Sequence, residues 1–171
     1  MWLLTIGYFL IIIILISISW THILGAPWLP TSLRIVNKML LLANVGPDDL
    51  VYDLGCGDGR IIVTAAWRYG ARAVGIEIDP IRYLWCQILI LILGLRDRVT
   101  IVYGDFFKQD LSQADVLTCY LLQSTNNKLQ NKLMHELKPG ARVVSNSFAF
   151  PEMKLLEMDN SDLIFLYSIE E

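Results

Sequence analysis

Asp53, Gly55, Gly57 and Gly59 stand at alternate positions in the run VYDLGCGDGR, Val51 to Arg60. A strand that ends in an acid and passes into closely spaced glycines can turn sharply and bring bare backbone against a ligand before a helix begins. The Asp53 carboxylate and the loop backbone, Cys56 included, are the polar groups such a turn offers. Glu77 follows 22 residues after Gly55, at the end of the next apolar run. On a neighbouring parallel strand an acid there lies beside the first loop and can accept from both hydroxyls of a ribose. Gly104, Asp105 and Phe106 come after a third such run. Here a carboxylate can take an exocyclic adenine amine, and an aromatic ring can stack on the base. A glycine-rich turn alone reads equally as a tight turn with no ligand. Three groups at the carboxyl ends of successive strands mark the crevice where open α/β sheets bind ligands.

Loops of this kind need strands behind them and helices to hold the strands. Short apolar runs predict strands at Leu50 to Leu54, Ala73 to Ile78, Val99 to Gly104, Val116 to Tyr120 and Arg142 to Phe148, with a last one near Leu163 to Ile169. Helices are expected at Gly59 to Tyr69, Pro80 to Leu93 and Asn126 to Leu137. Another is expected from a Thr31 or Ser32 cap to about Asn44, where Leu33, Val36, Met39, Leu40 and Ala43 recur at helical spacing. Gly46 to Asp49 reads as a turn. Repeated βα units with apolar strands give an α/β fold, a mostly parallel sheet with helices on both faces.

The 171 residues suit one domain of ordinary size, but 54% hydrophobic with 18% charged is apolar for a globular domain alone. The excess sits at the start, since no Asp, Glu, Lys or Arg precedes Arg34. Trp2 to Trp20 is 19 uncharged residues, about 27 Å as a helix and close to the hydrocarbon thickness of a bilayer. A tryptophan at each end suits the two interfaces. The pattern predicts one transmembrane helix over residues 1–24, a proline-stiffened linker over 25–31 and a domain over 32–171. A cleaved signal peptide is the rival reading, but no basic segment precedes the apolar run and no small-x-small site follows it. A buried or oligomer-forming helix is the other alternative. Arg34 and Lys38 are the nearest fixed cations, so the positive-inside rule places the domain on the cytoplasmic side of a single-pass anchor. Leu84 to Leu95 is apolar nearly all round and too short to span a membrane. It reads as a helix buried on the sheet, or as one whose outer face meets the leader, the membrane or a second subunit.

A net charge of −3 argues against a protein that binds nucleic acid by neutralising phosphates. Cys56, Cys86 and Cys119 are dispersed, with no CxxC pair and no nearby histidine, and read as buried free thiols. His22 and His135 are isolated and read as interface or surface residues. No carboxylate cluster suggests a magnesium site, and no metal is expected.

The strand-loop-helix with its three ligand groups resembles the class I S-adenosylmethionine-dependent methyltransferases, over roughly Pro27 to the C-terminus. The resemblance implies a Rossmann-like core with S-adenosyl-L-methionine as cofactor. It implies that the loop of Asp53, Gly55, Gly57 and Gly59 holds the methionine part, with Cys56 among the cofactor-binding residues, that Glu77 holds the ribose, and that Gly104 and Asp105, next to Phe106, face the adenine. A nicotinamide dinucleotide is disfavoured, because its fold wants GxGxxG, and Asp58 would put an anion where phosphate sits. PWLPTS before a helix, YLLQ (Tyr120 to Gln123), ELKPGARVVS (Glu136 to Ser145) and FAFP (Phe148 to Pro151) are similar to the small membrane-tethered protein-lysine methyltransferases. That group includes the enzymes acting on the ATP synthase c subunit and the adenine nucleotide translocase, with prokaryotic relatives. It implies a protein substrate with an accessible lysine, in or near a membrane. Tyr120 and Gln123 are the candidates for orienting the amine, and the Thr31 region for folding over the cofactor. The motif used by amine methyltransferases of DNA and glutamine is absent after the fourth strand. A methyltransferase for a quinone or lipid, and a non-catalytic cofactor-binding assembly factor, remain open alternatives.

Overall fold

The computed structural model describes Trp2, Thr5, Gly7, Tyr8 and residues 29–170. Most of the expected membrane span and of the linker therefore lies outside the described residues, as does His22. Among the described residues no helix is long and apolar enough to cross a membrane.

The elements run α1 (Leu33–Leu42), β1 (Leu50–Leu54), α2 (Arg60–Tyr69), β2 (Arg72–Glu77), α3 (Pro80–Ile92), β3 (Val99–Tyr103), a 3₁₀ turn (Phe106–Lys108), β4 (Val116–Cys119), α4 (Gln123–Glu136), β5 (Arg142–Asn146), β6 (Leu155–Asp159) and β7 (Ile164–Ser168). They form a seven-stranded sheet in the order β3-β2-β1-β4-β5-β7-β6. β1 pairs in parallel with β2 and β4, and β7 runs antiparallel to both β5 and β6. The expected α/β architecture is thus present, with one strand, β6, that the sequence pattern did not announce.

Alternation along each strand splits the core in two. Val51, Ala73, Val99, Val116 and Val144 face one side, where α1, α2 and α3 bring Val36, Met39, Leu40, Ile62, Ala65, Cys86 and Ile90. Leu54, Ile76, Leu117 and Val143 face the other, covered by Leu129 and Leu133 of α4 and by Phe150 and Tyr167. Fully burying a side chain of this size is worth about 1.5–3 kcal/mol, so the two layers fix the strand ends that carry the loops.

Local chemistry explains most element ends. Ser32 caps α1 by accepting from the Ile35 N–H at 3.4 Å. Asp79 caps α3, accepting from the N–H groups of Ile81 and Arg82 at 2.8 and 3.0 Å, with Pro80 at the first helical position. Arg34 and Lys38, read as topology signals, are ion-paired with the β6–β7 turn: Arg34 meets Asp162, and Lys38 meets Asp159 and Asp162. Lys38 and Ser161 hold the Asp159 carboxyl down to about 2, and Arg34 with Lys38 lowers that of Asp162 further.

α3 departs from the simpler expectation that it is buried all round. Only Cys86 and Ile90 are buried, and its outer side is exposed. All three cysteines are free and buried. His135 is exposed, its Nδ1 2.6 Å from the Asn131 carbonyl of its own helix.

Candidate cofactor and methyl-transfer site

At the carboxyl ends of β1, β2 and β4 lies a cavity of about 370 Å³, within the ~300–1,000 Å³ usual for small-molecule sites. Its floor is the loop between β1 and α2. Gly55, Gly57 and Gly59 take φ of 71°, 60° and 81°, the left-handed region where a side chain is strained. The turn folds back on its neighbour: the N–H groups of Gly55 and Cys56 both donate to the Ile76 carbonyl, at 2.9 and 3.1 Å. This fold requires Gly75 on β2, where a Cβ would lie 2.7 Å from Cys56 Sγ and 2.9 Å from Ile62 Cδ1. Cys86 closes the loop from beneath, its Sγ donating to the Gly57 carbonyl at 3.3 Å.

Glu77 organises the second wall. Its Oε2 accepts from the Gly57 N–H and its Oε1 from the Asp79 N–H, both at 2.8 Å. Each oxygen thus spends one acceptor site on backbone, leaving about two of four for a ligand. Burial raises its pKa, opposed by those two N–H groups. Asp53, held by the Thr118 hydroxyl at 2.9 Å, is almost fully buried. Burial pushes its carboxyl up to about 7, with Glu77 and Asp58 adding to the rise. Asp105 accepts from the Phe107 N–H at 2.9 Å and so holds the turn bearing Phe106 and Phe107, whose rings lie 4.9 Å apart.

All seven residues expected to meet the cofactor line this one cavity: Asp53, Gly55, Cys56, Gly57, Glu77, Asp105 and Phe106. Tyr120 lines it too, with Leu29, Pro30 and Thr31 on the facing wall. Gln123 does not belong to it. As the first residue of α4 it turns its amide to Asn127 Oδ1 and the Ala149 carbonyl, at 2.7 and 2.8 Å. The sequence reading missed Ser124, Thr125 and Lys128, which α4 adds to the lining, and Arg60. Arg60 chelates Asp58 and donates from Nη1 to the Thr31 carbonyl at 2.6 Å. It joins the glycine loop to the segment leading into α1.

The lining fits S-adenosyl-L-methionine. Asp53, Glu77 and Asp105 offer carboxylates to a molecule that carries an ammonium, a ribose diol and an adenine amine. A pyrophosphate would meet the opposite, because the N–H groups of Gly55, Cys56, Gly57 and Gly59 are all spent internally. No group of His, Cys, Asp and Glu able to hold a metal occurs among the described residues.

Comparison with known proteins agrees with this geometry. Residues 53–157 match the ANTKMT methyltransferase domain family. A protein-lysine N-methyltransferase of Saccharolobus islandicus (strain REY15A) is 40% identical over 88% of this chain and 98% of its own length. The adenine nucleotide translocase lysine N-methyltransferase of Mus musculus is 32% identical over 85% of this chain and 64% of its own. The crystal structure of an RNA methyltransferase from Salinibacter ruber with S-adenosyl-L-homocysteine superimposes with a TM-score of 0.78 at 40% identity, covering 84% of this chain and 95% of that one. Matched by the family model over more than half of its length and by a relative 40% identical, this chain is an S-adenosylmethionine-dependent methyltransferase and belongs to the ANTKMT methyltransferase domain family.

Proposed function

We propose that the protein is a protein-lysine N-methyltransferase, held at a membrane by its uncharged leader with the domain on the cytoplasmic side, and acting on a membrane or membrane-proximal protein. The carrying observation is the archaeal protein-lysine N-methyltransferase matched along nearly its whole length. The cavity supports the reading chemically. The bound cofactor supplies a methyl group on a positive sulfur, which a neutral amine displaces in line as the S–C bond breaks. Part of the lining is apolar and aromatic, with Leu29, Phe106, Phe107, Tyr120 and Leu121. Such a wall favours the uncharged form of a lysine amine. In this reading the Tyr120 hydroxyl orients the incoming amine, and the proton released from the methylated nitrogen leaves to solvent. In this reading short loops around the cavity and the membrane surface recognise the substrate.

RNA, the substrate class in the name of the Salinibacter ruber protein, is the less favoured reading here. Arg60 is chelated by Asp58, Arg82 lies 3.7 Å from Asp79, and the whole chain carries −3, so the cavity is not set in a basic groove. Transfer of tritiated methyl to total membranes plus cytosolic RNA, with separation of protein, lipid and RNA, tests the proposal. Label is expected in protein and, after hydrolysis, in methylated lysine. Label confined to the organic extract or to RNA overturns it, as does no label from a chain that binds the cofactor.

A further inference from the structure

α3 carries a continuous stripe of exposed apolar side chains. Ile81, Leu84 with Trp85, Ile88, and Leu91 with Ile92 recur every three to four residues along one side and are between 40% and 74% exposed. None of the six lines the cofactor cavity. Just beyond the helix, Arg96 and Arg98 are exposed on either side of Asp97, so the stripe ends on a rim of net positive charge.

A stripe of this kind needs an occupant. A second copy is a poor fit. A 13-residue helix is about 20 Å long and 10 Å wide, a footprint of about 200 Å², against the roughly 800 Å² per partner that a stable dimer buries. The leader is not packed there either at its described residues, since Trp2 and Tyr8 are 82% and 71% exposed. Chain length favours the bilayer itself. The four residues 25–28 between the expected span and Leu29 reach at most about 18 Å. Leu29 shares its cavity wall with Ile78 and Arg82, at the start of α3. An anchored chain therefore holds the first turn of α3 within a cavity's width plus that tether of the membrane surface.

We propose that the outer face of α3 is a bilayer-docking surface: the helix lies in the plane of an anionic membrane, its apolar stripe in the headgroup region and Arg96 over lipid phosphates. Docking turns a tether into a fixed orientation. It brings the cavity, whose lining includes Leu29, Arg82 and Phe107, next to the membrane, where a lysine at the edge of a membrane protein is in reach.

The inference rests on the membrane-anchor reading, and the test separates the two. The full chain, with Trp2, Trp20, Trp28 and Trp67 replaced by Phe so that Trp85 alone reports, is reconstituted in phosphatidylcholine–phosphatidylglycerol vesicles with brominated acyl chains. Resistance to carbonate extraction reads the anchor; Trp85 emission reads docking. Quenching and a blue shift of Trp85 are expected, both lost in a Leu84→Glu/Ile88→Glu variant whose cofactor affinity, by calorimetry, is unchanged. Anchored protein with unquenched Trp85 overturns docking and leaves the anchor standing. Extractable protein with quenched Trp85 overturns the anchor and supports docking, and extractable protein with unquenched Trp85 overturns both. A blue shift that depends on protein concentration and ignores bromination assigns the face to a second copy and overturns the proposal.

Discussion

Asp53 and Glu77 are neighbouring buried acids whose surroundings set them to different tasks. Glu77 is fixed by two backbone N–H groups, so it pins the glycine loop and is placed where the ribose assignment needs an acceptor for a diol. Glu77→Ala is expected to abolish cofactor binding and to lower apo stability by about 2–4 kcal/mol, because two buried donors lose their acceptor. Calorimetry and denaturant unfolding check the two effects, and an unchanged affinity would overturn the ribose assignment. Asp53 has one hydroxyl partner and a carboxyl raised to about 7 by burial. Between about pH 4 and 7 the folded apo protein keeps a proton there that the unfolded chain has given up. Apo stability therefore falls as pH rises through that window. A bound ammonium relieves the cost, so cofactor affinity is expected to rise roughly tenfold from pH 5.5 to 7. Asp53→Asn should flatten that profile in calorimetry; a wild-type affinity independent of pH would place the ammonium elsewhere.

The elements differ in how plainly their sequences announced them, and the differences have physical causes. β1 to β5 are covered on both faces, so their runs are apolar almost throughout and stand out. β6 is an edge strand whose Leu155, Leu156 and Glu157 are all exposed; it is held through β7 and the ion pairs to α1, contacts between residues more than 100 positions apart. α4 starts three residues before its expected position because its cap, Leu122, has no side-chain hydrogen bond to advertise the start. That shift moved Gln123 away from the cavity and brought Ser124 and Thr125 to it. The Asp53, Glu77 and Asp105 positions were legible because each lies at or just beyond the carboxyl end of a strand; Arg60 was not, because its partner Thr31 lies 29 positions away in the segment before α1. Arg60→Ala is expected to leave the fold intact, free the Thr31 carbonyl and raise the cofactor Kd, while Arg60→Lys restores part of the loss. Equal affinity in all three proteins would show that the wall of residues 29–31 stands without the latch. Gly75→Ala, which overpacks the loop against Cys56 and Ile62, should cost about 1–3 kcal/mol in unfolding experiments.

At the scale of the whole molecule, the proposed function divides catalysis and placement between separate parts of the chain. Both hydrophobic cores are built from Val36 onward among the described residues, and the cofactor cavity from Leu29 onward. Among the described residues, neither takes a side chain from the apolar leader. Removing residues 1–28 is therefore expected to leave cofactor affinity unchanged. On the proposed reading the anchor supplies effective concentration, since a tethered enzyme meets a membrane substrate as if at about millimolar concentration and gains on the order of 10²–10⁴ over free encounter. The shortened chain should label a membrane-embedded protein substrate at least about a hundredfold more slowly at equal enzyme concentration. It should still methylate a soluble peptide carrying the same lysine at the full rate. A shortened chain that is equally fast on membranes would show that α3 alone, or a protein partner, does the placing; one that is slow on both substrates would show that the leader is part of the site.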